Sequence, residues 1–360
     1  MRIPNKMIEY GHGGDIYGSH GKKVIDFSAN INPLGMPQRA KDAILENIES
    51  YCAYPDPFCR ELKQAIGSFE KVEERCIVCG NGAADLIYRI VLGLKPQKAL
   101  LLAPTFSEYE AALISCGCEP EYFLLKEENG FRVKAEIADR ITSDIDMVFI
   151  CNPNNPTGAA AEREVIETIA RKCDDCGAVL VLDECFMDFL AETHEYSLKD
   201  ALHEYKRTVI LKAFTKIFAM AGIRLGYLLC ADEKICAAVT MAGQPWSVST
   251  VASKCGIAAL SDPFHIRKTK EYIKTQRAYL TEEMKKCGIK CFDGKANYIL
   301  LKTNRDFGKR MRKYGILVRS CENYRGLSEE FFRIAVKTKQ ENEYFIESIH
   351  KEYRLSWQNP

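Results

Sequence analysis

The 360-residue sequence contains no apolar run approaching the ~18 residues that would cross a bilayer as a helix, so no membrane span is expected. It lacks an excess of either charge, with 50 basic against 49 acidic side chains. That balance excludes a bulk nucleic-acid or membrane-surface binder, which needs a broad positive field, but leaves room for a small basic pocket. No internal repeat is present, and no Gly/Ser or proline-rich stretch marks a flexible linker. Met1 to Tyr10 carries charges and a proline and has no hydrophobic segment of the kind a signal peptide needs. A cytoplasmic protein is therefore expected.

Cysteine, by contrast, is abundant, at 16 residues. In a chain with 47% apolar and 28% charged residues, long enough to bury a core, these read as reduced thiols, most of them small buried hydrophobes. Cys76/Cys79 and Cys173/Cys176 have CxxC spacing, but the pairs lie too far apart for a zinc ribbon, and no metal is expected.

The middle of the chain alternates β-branched runs with helical patterns. Strands are expected at 77–79, 99–103, 147–151, 178–183, 209–212 and 226–230, and helices at 83–94, 107–116 and 162–175. Runs such as Val179-Leu-Val-Leu182 are apolar throughout, the pattern of strands covered on both faces. The fold class is therefore α/β, a mostly parallel central sheet flanked by helices, with ligands bound beyond the carboxyl ends of the strands. After Pro263 a charged helical stretch, 264–286, leads to shorter strands at 298–302 and 331–336. We expect a large domain over 46–260, a smaller α+β domain over 261–360, and a segment 1–45 packing with the small domain and the active site.

Four segments carry chemistry. Cys151-Asn-Pro-Asn-Asn-Pro-Thr-Gly158 is a rigid loop after a strand, and its Asn155 can offer an amide to a ligand. Val181-Leu-Asp-Glu184 ends a buried strand on a carboxylate, which needs a partner. The stretch from Leu211 to Gly226 sets Lys216 and Arg224 among apolar and small residues. Cys79-Gly-Asn-Gly-Ala-Ala-Asp85 turns from strand into helix and presents free N–H groups suited to a phosphate. An amine for a Schiff base, an acid for a pyridinium, a donor for a phenolate and a phosphate cradle are the requirements of pyridoxal phosphate.

On these motifs the chain resembles the fold-type I pyridoxal-phosphate enzymes of the class I/II aminotransferase family over nearly its whole length. The resemblance implies that Lys216 is the Schiff-base lysine, Asp183 the partner of the pyridine nitrogen and Asn155 a donor to the ring 3-oxygen. It implies that Arg224, Thr215 and the amides of Gly82, Ala83 and Ala84 hold the phosphate, and that Tyr109 stacks on the ring. Arg333 matches the carboxylate-binding arginine. Tyr54 matches a tyrosine that reaches the neighbouring subunit's cofactor, which implies a homodimer with composite sites. Two positions depart from the pattern: Ala213 replaces a phosphate-binding serine, and Phe186 replaces a tyrosine common in transaminating relatives.

Within the family, Gly11-His-Gly-Gly-Asp15, Asp26-Phe-Ser-Ala-Asn-Ile-Asn-Pro-Leu-Gly35, Gln244-Pro-Trp-Ser-Val-Ser249 and Leu317-Val-Arg-Ser-Cys-Glu-Asn-Tyr324 resemble the threonine-phosphate decarboxylase branch of cobalamin biosynthesis. That resemblance implies a small phosphorylated amino-acid substrate held by His12, Gly13, Asn32, Asn155, Arg319 and Arg333, with Trp246 as a wall of the cleft. Histidinol-phosphate aminotransferase is the competing branch. A non-catalytic ligand sensor is the remote one, since no helix-turn-helix segment or basic face accompanies the fold.

Overall fold

The computed structural model describes residues 11, 13–16 and 24–358. Its centre is a seven-stranded sheet made of β2 (Ile77–Gly80), β3 (Lys98–Ala103), β4 (Glu119–Leu124), β5 (Met147–Cys151), β6 (Val179–Asp183), β7 (Thr208–Ala213) and β8 (Gly226–Cys230), with β1 (Ile25–Asp26) lying outside it. Across the sheet the order is β2-β8-β7-β6-β5-β3-β4. The run from β4 through β7 is parallel, and β8 is antiparallel to both β7 and β2. Every residue of β2, β5, β6, β7 and β8 is buried. This is why those strands are nearly continuous in apolar residues instead of alternating.

The six expected central strands are present, with ends shifted by at most one residue. One strand of the central sheet was not expected from the sequence. β4 reads Glu-Pro-Glu-Tyr-Phe-Leu, holds the sheet edge and is half exposed, so it has neither an apolar run nor a proline-free ladder. The expected helices also form, as Gly82–Leu94, Glu108–Ser115, Arg163–Cys176 and Pro263–Lys286. Pro263 occupies the first turn of the last of these, where its missing N–H costs nothing, and Asp262 caps it by accepting from the His265 N–H at 3.1 Å.

A second sheet comprises β9 (Lys290–Cys291), β10 (Tyr298–Lys302), β12 (Arg319–Ser320) and β13 (Phe331–Ala335), in the antiparallel order β12-β13-β10-β9. Strand β11 (Ile316–Leu317) leaves that sheet and pairs in parallel with β1. The amino-terminal segment thus joins the carboxy-terminal part of the chain and passes into the region beyond the central strands. Ten of the sixteen thiols are buried, Cys76, Cys79 and Cys173 among them, and none is in a disulfide. No described helix is long and apolar enough to cross a membrane.

Candidate active site

The carboxyl ends of β5, β6 and β7 open into a cavity of about 300 Å³, and the last residue of each strand, Cys151, Asp183 and Ala213, lines it. Parallel strands bring their ends and the following loops to one edge, so segments distant in sequence converge there. Ala83, Ala84, Asn155, Thr215, Lys216, Arg224, Arg333 and Gly13 line the same space. Nine of the fifteen expected residues therefore meet around one cavity, with Asp183 the ninth.

Asp183 is only 5% exposed. Its Oδ1 accepts from the Cys185 N–H at 2.9 Å and its Oδ2 from the Tyr109 hydroxyl at 2.6 Å. It forms no ion pair with a described residue, so a buried carboxylate faces the cavity with donors on both oxygens and no fixed cation. Lys216 sits on the single turn Phe214–Ile217. Burial first, and then the positive charges of Arg333 and Arg224, push its ammonium down to about 8. A substantial neutral fraction at ordinary pH is what an attacking amine requires.

The phosphate side is built by the helix Gly82–Leu94. Its first turn opens on the cavity through Ala83 and Ala84, and its unpaired N–H groups and dipole favour an anion. Gly82 has φ +83°, and a Cβ there would stand 2.6 Å from a guanidinium nitrogen of Arg224, so only glycine lets that arginine close over the turn. Arg224 itself adopts φ +62° and donates to the Ala221 carbonyl at 3.1 Å. A non-glycine residue in that region stores strain, which is common where a side chain must be aimed.

Arg333 is buried on β13. It donates to Asn155 Oδ1 and, at 2.8 Å, to the Ser28 carbonyl, while its buried Nε has no partner. The bond from Arg333 occupies the Asn155 carbonyl oxygen, and its Nδ2, which donates to no described residue, is left for a ligand. These features fit pyridoxal phosphate: an unpaired carboxylate for the ring nitrogen, an amide donor, a helix start with Arg224 for the phosphate, and one amine of lowered basicity.

Several expectations are corrected. Tyr109 does not line the cavity. It is fully buried beneath Asp183, stacked on Phe149 at 4.9 Å, while Phe106 and Ile87 line the cavity. Asn32 does not reach the cavity either. Its Nδ2 donates to the Ile217 carbonyl at 2.6 Å and to Thr269 at 2.8 Å, and its own N–H donates to the Lys216 carbonyl at 3.2 Å. It clamps the turn that carries Lys216 to the helix Pro263–Lys286. Arg319 is likewise outside the lining; it donates to the Gly11 carbonyl and, at 2.7 Å, to Asn323, above the ring of Tyr324.

Gly82 supports the phosphate turn from outside the lining. Tyr54 is 82% exposed and packs on Trp246, with ring centroids 4.8 Å apart, away from this cavity. His12 lies outside the described residues. Ser28 and Asn30, not among the residues expected from the sequence, line the cavity from the segment after β1. The motif Asp26-Phe-Ser-Ala-Asn had pointed at that segment, but the residue facing in is Asn30, two positions before the one expected.

The family model for class I and II aminotransferases matches residues 22–349. A threonine-phosphate decarboxylase of Salmonella typhimurium is 35% identical over 353 residues, covering 95% of this chain and 96% of that protein. The adenosylcobalamin biosynthesis bifunctional protein CobDQ of Leptospira interrogans is 33% identical over 355 residues, covering 94% of this chain and 40% of that protein. Among solved structures, the histidinol-phosphate aminotransferase of Clostridium acetobutylicum superposes with a TM-score of 0.86 at 29% identity, covering 91% of this chain and 98% of that one. With a cavity built for pyridoxal phosphate and a match spanning both sheets, the chain belongs to the class I and II aminotransferases, as a pyridoxal-phosphate-dependent enzyme of fold type I.

Proposed function

We propose that the enzyme removes the carboxylate of L-threonine O-3-phosphate, or of L-serine O-phosphate, and releases carbon dioxide and an aminoalkanol phosphate for the nucleotide loop of a cobamide. The observation that carries this is the near full-length similarity to a threonine-phosphate decarboxylase. The cobalamin-related name of the Leptospira relative supports the setting.

The cavity agrees in chemistry. Its described walls enclose about 300 Å³, which the cofactor and the substrate must share, so a compact substrate fits best. Arg333, held by Asn155 and Ser28, is pre-aimed to grip a carboxylate. Phe186, T-shaped against Tyr298 with ring centroids 4.9 Å apart, turns its face to the Lys216 amine and lacks the hydroxyl of the tyrosine common in transaminating relatives.

Pyridoxal phosphate, when bound, supplies an electron sink for the pair left at Cα when a bond there breaks. Which bond breaks is decided by the groups that orient the substrate. Asp183 keeps a proton on the partner it faces, Arg333 and Asn155 fix the carboxylate end, and the amine of Lys216 returns a proton to Cα once carbon dioxide has left. Threonine and serine phosphates differ by one methyl, worth ~1–3 kcal/mol in a pocket, so both are tested.

The enzyme incubated separately with threonine phosphate, serine phosphate, and histidinol phosphate plus 2-oxoglutarate should release carbon dioxide from one or both phospho-amino acids. Conversion of histidinol phosphate with no carbon dioxide from the others would instead establish the aminotransferase, the reading that the Clostridium structure favours.

The active species on this proposal is a homodimer in which Tyr54 completes the partner's phosphate site. Tyr54→Phe should leave folding intact and weaken cofactor retention by roughly 10–100-fold, the value of one hydrogen bond to a charged group. Dialysis followed by absorbance reads the retention. Sedimentation showing a fully active monomer would overturn the composite site.

A further inference from the structure

A second cavity, of about 620 Å³, lies apart from the cofactor site and shares no lining residue with it. Its walls come from the segment 189–196 after β6, the helix Pro263–Lys286, and the segment 291–295 at and after the end of β9. Five cationic side chains line it, Lys270, Lys274, Arg277, Lys285 and Lys295, against the acids Glu192, Glu282 and Asp293.

Two of the three acids are drawn to other partners, Glu192 is left near Lys270, and Lys295 lies over the ring of Tyr196. Asp293 is paired with Arg132 at 2.8 Å and Glu282 with Lys286 at 3.0 Å, while none of the five cations forms an ion pair with a described residue. Arg277 is the decisive member: its Nε is buried and has no hydrogen-bond partner. Burial also pushes the basicity of Arg277 and Lys270 downward. Arg277 is half-buried, and a guanidinium nitrogen withdrawn from water without a partner is costly, a cost that an anion arriving from solution relieves. The apolar part of the wall, Phe189, Leu190, Ile273 and Phe292, suits a carbon skeleton. The volume is that of a small-molecule site.

We propose that this cavity is a second binding site, for a small organic phosphate carrying two or more negative charges. Its occupant would span both parts of the fold and would bear on the catalytic loop. Gly294 packs so closely on Gly158 that a Cβ there would stand 2.7 Å from the Gly158 carbonyl carbon, and the Lys295 N–H donates to the Gly158 carbonyl at 2.7 Å. Gly158 closes the loop that carries Asn155.

The test is calorimetric titration of the full-length, cofactor-loaded enzyme with adenosine diphosphate and with inorganic pyrophosphate at low salt, followed by hydrogen exchange. One site per chain is expected, weakened roughly tenfold or more by Arg277→Gln and by Lys285→Gln, and weakened again by salt. Lys285 is exposed, so its variant keeps the test open if Arg277→Gln fails to fold. Both probes should slow exchange in segments 189–196 and 290–296. Absence of binding by both probes at ~10 mM would overturn the proposal. So would equal affinity in wild type and Lys285→Gln, or protection confined to the cofactor cavity.

Discussion

Replacing Lys216 with alanine is expected to abolish covalent attachment of the cofactor and lower kcat by roughly 10³-fold or more, since both nucleophile and proton carrier are lost. Borohydride reduction and peptide mass spectrometry check the first part: wild type should carry the pyridoxyl label on Lys216 and the variant none. A label on another lysine would remove Lys216 from its role. Cofactor loading should also follow the amine. With the folded-state ammonium pushed down to about 8, attachment to the cofactor-free chain should accelerate as pH rises through that value and level off above it.

The same shift has a sign for stability. The folded amine titrates below its unfolded value of about 10.5, so the unfolded chain binds more protons between about pH 8 and 10.5. The cofactor-free wild type pays for a buried ammonium below about pH 8 and gains stability as pH rises through that window. Lys216→Met, which removes the charge and keeps much of the volume, should melt higher than wild type at pH 7, and its advantage should fade towards pH 10.5.

Asp183→Asn should lower kcat by roughly 10²–10³-fold while leaving the fold in place. Asparagine has the same shape, but it removes the one anion that the cavity sets at the end of β6. Breaking a buried charge pair costs about 3–5 kcal/mol. The Cys185 N–H would keep the amide oxygen, and the Tyr109 hydroxyl, which can accept as well as donate, would turn to accept from the new Nδ2, so the melting temperature should move little. Single-turnover kinetics on the cofactor-saturated variant isolate the chemical step. Activity within tenfold of wild type would mean that the charge of Asp183 does not serve the reaction.

The contrast between Asp183 and Asn32 shows what a sequence carries. Asp183 ends an all-apolar strand, and in a parallel sheet the end of such a strand is also the edge where ligands bind, so local pattern and site coincide. The glycine turn was legible for the same reason, standing between a strand end and a helix start, and Lys216 and Arg224 as charges within an apolar, small-residue stretch. Asn32 lies in an irregular stretch, where no periodicity tells which side chain turns inwards. Packing against Ile217 and Thr269 consumed its amide and left Asn30 to face the cavity.

Tyr109 failed for a related reason: its ring could lie over the cofactor or beneath its aspartate, and the hydroxyl bond to Asp183 sets it beneath, with Phe106 in the wall. β4 was invisible because an edge strand needs no apolar pattern. By itself, then, the sequence determined the fold class, six of the seven central strands and the polar groups near their ends, because burial and chain geometry act locally on those residues. Tertiary structure alone decided which loop residue faces inwards, that Arg333 is braced by Asn155 and Ser28, and that five cationic side chains without an ion pair among the described residues line a second cavity, because those facts depend on contacts between segments far apart in the chain.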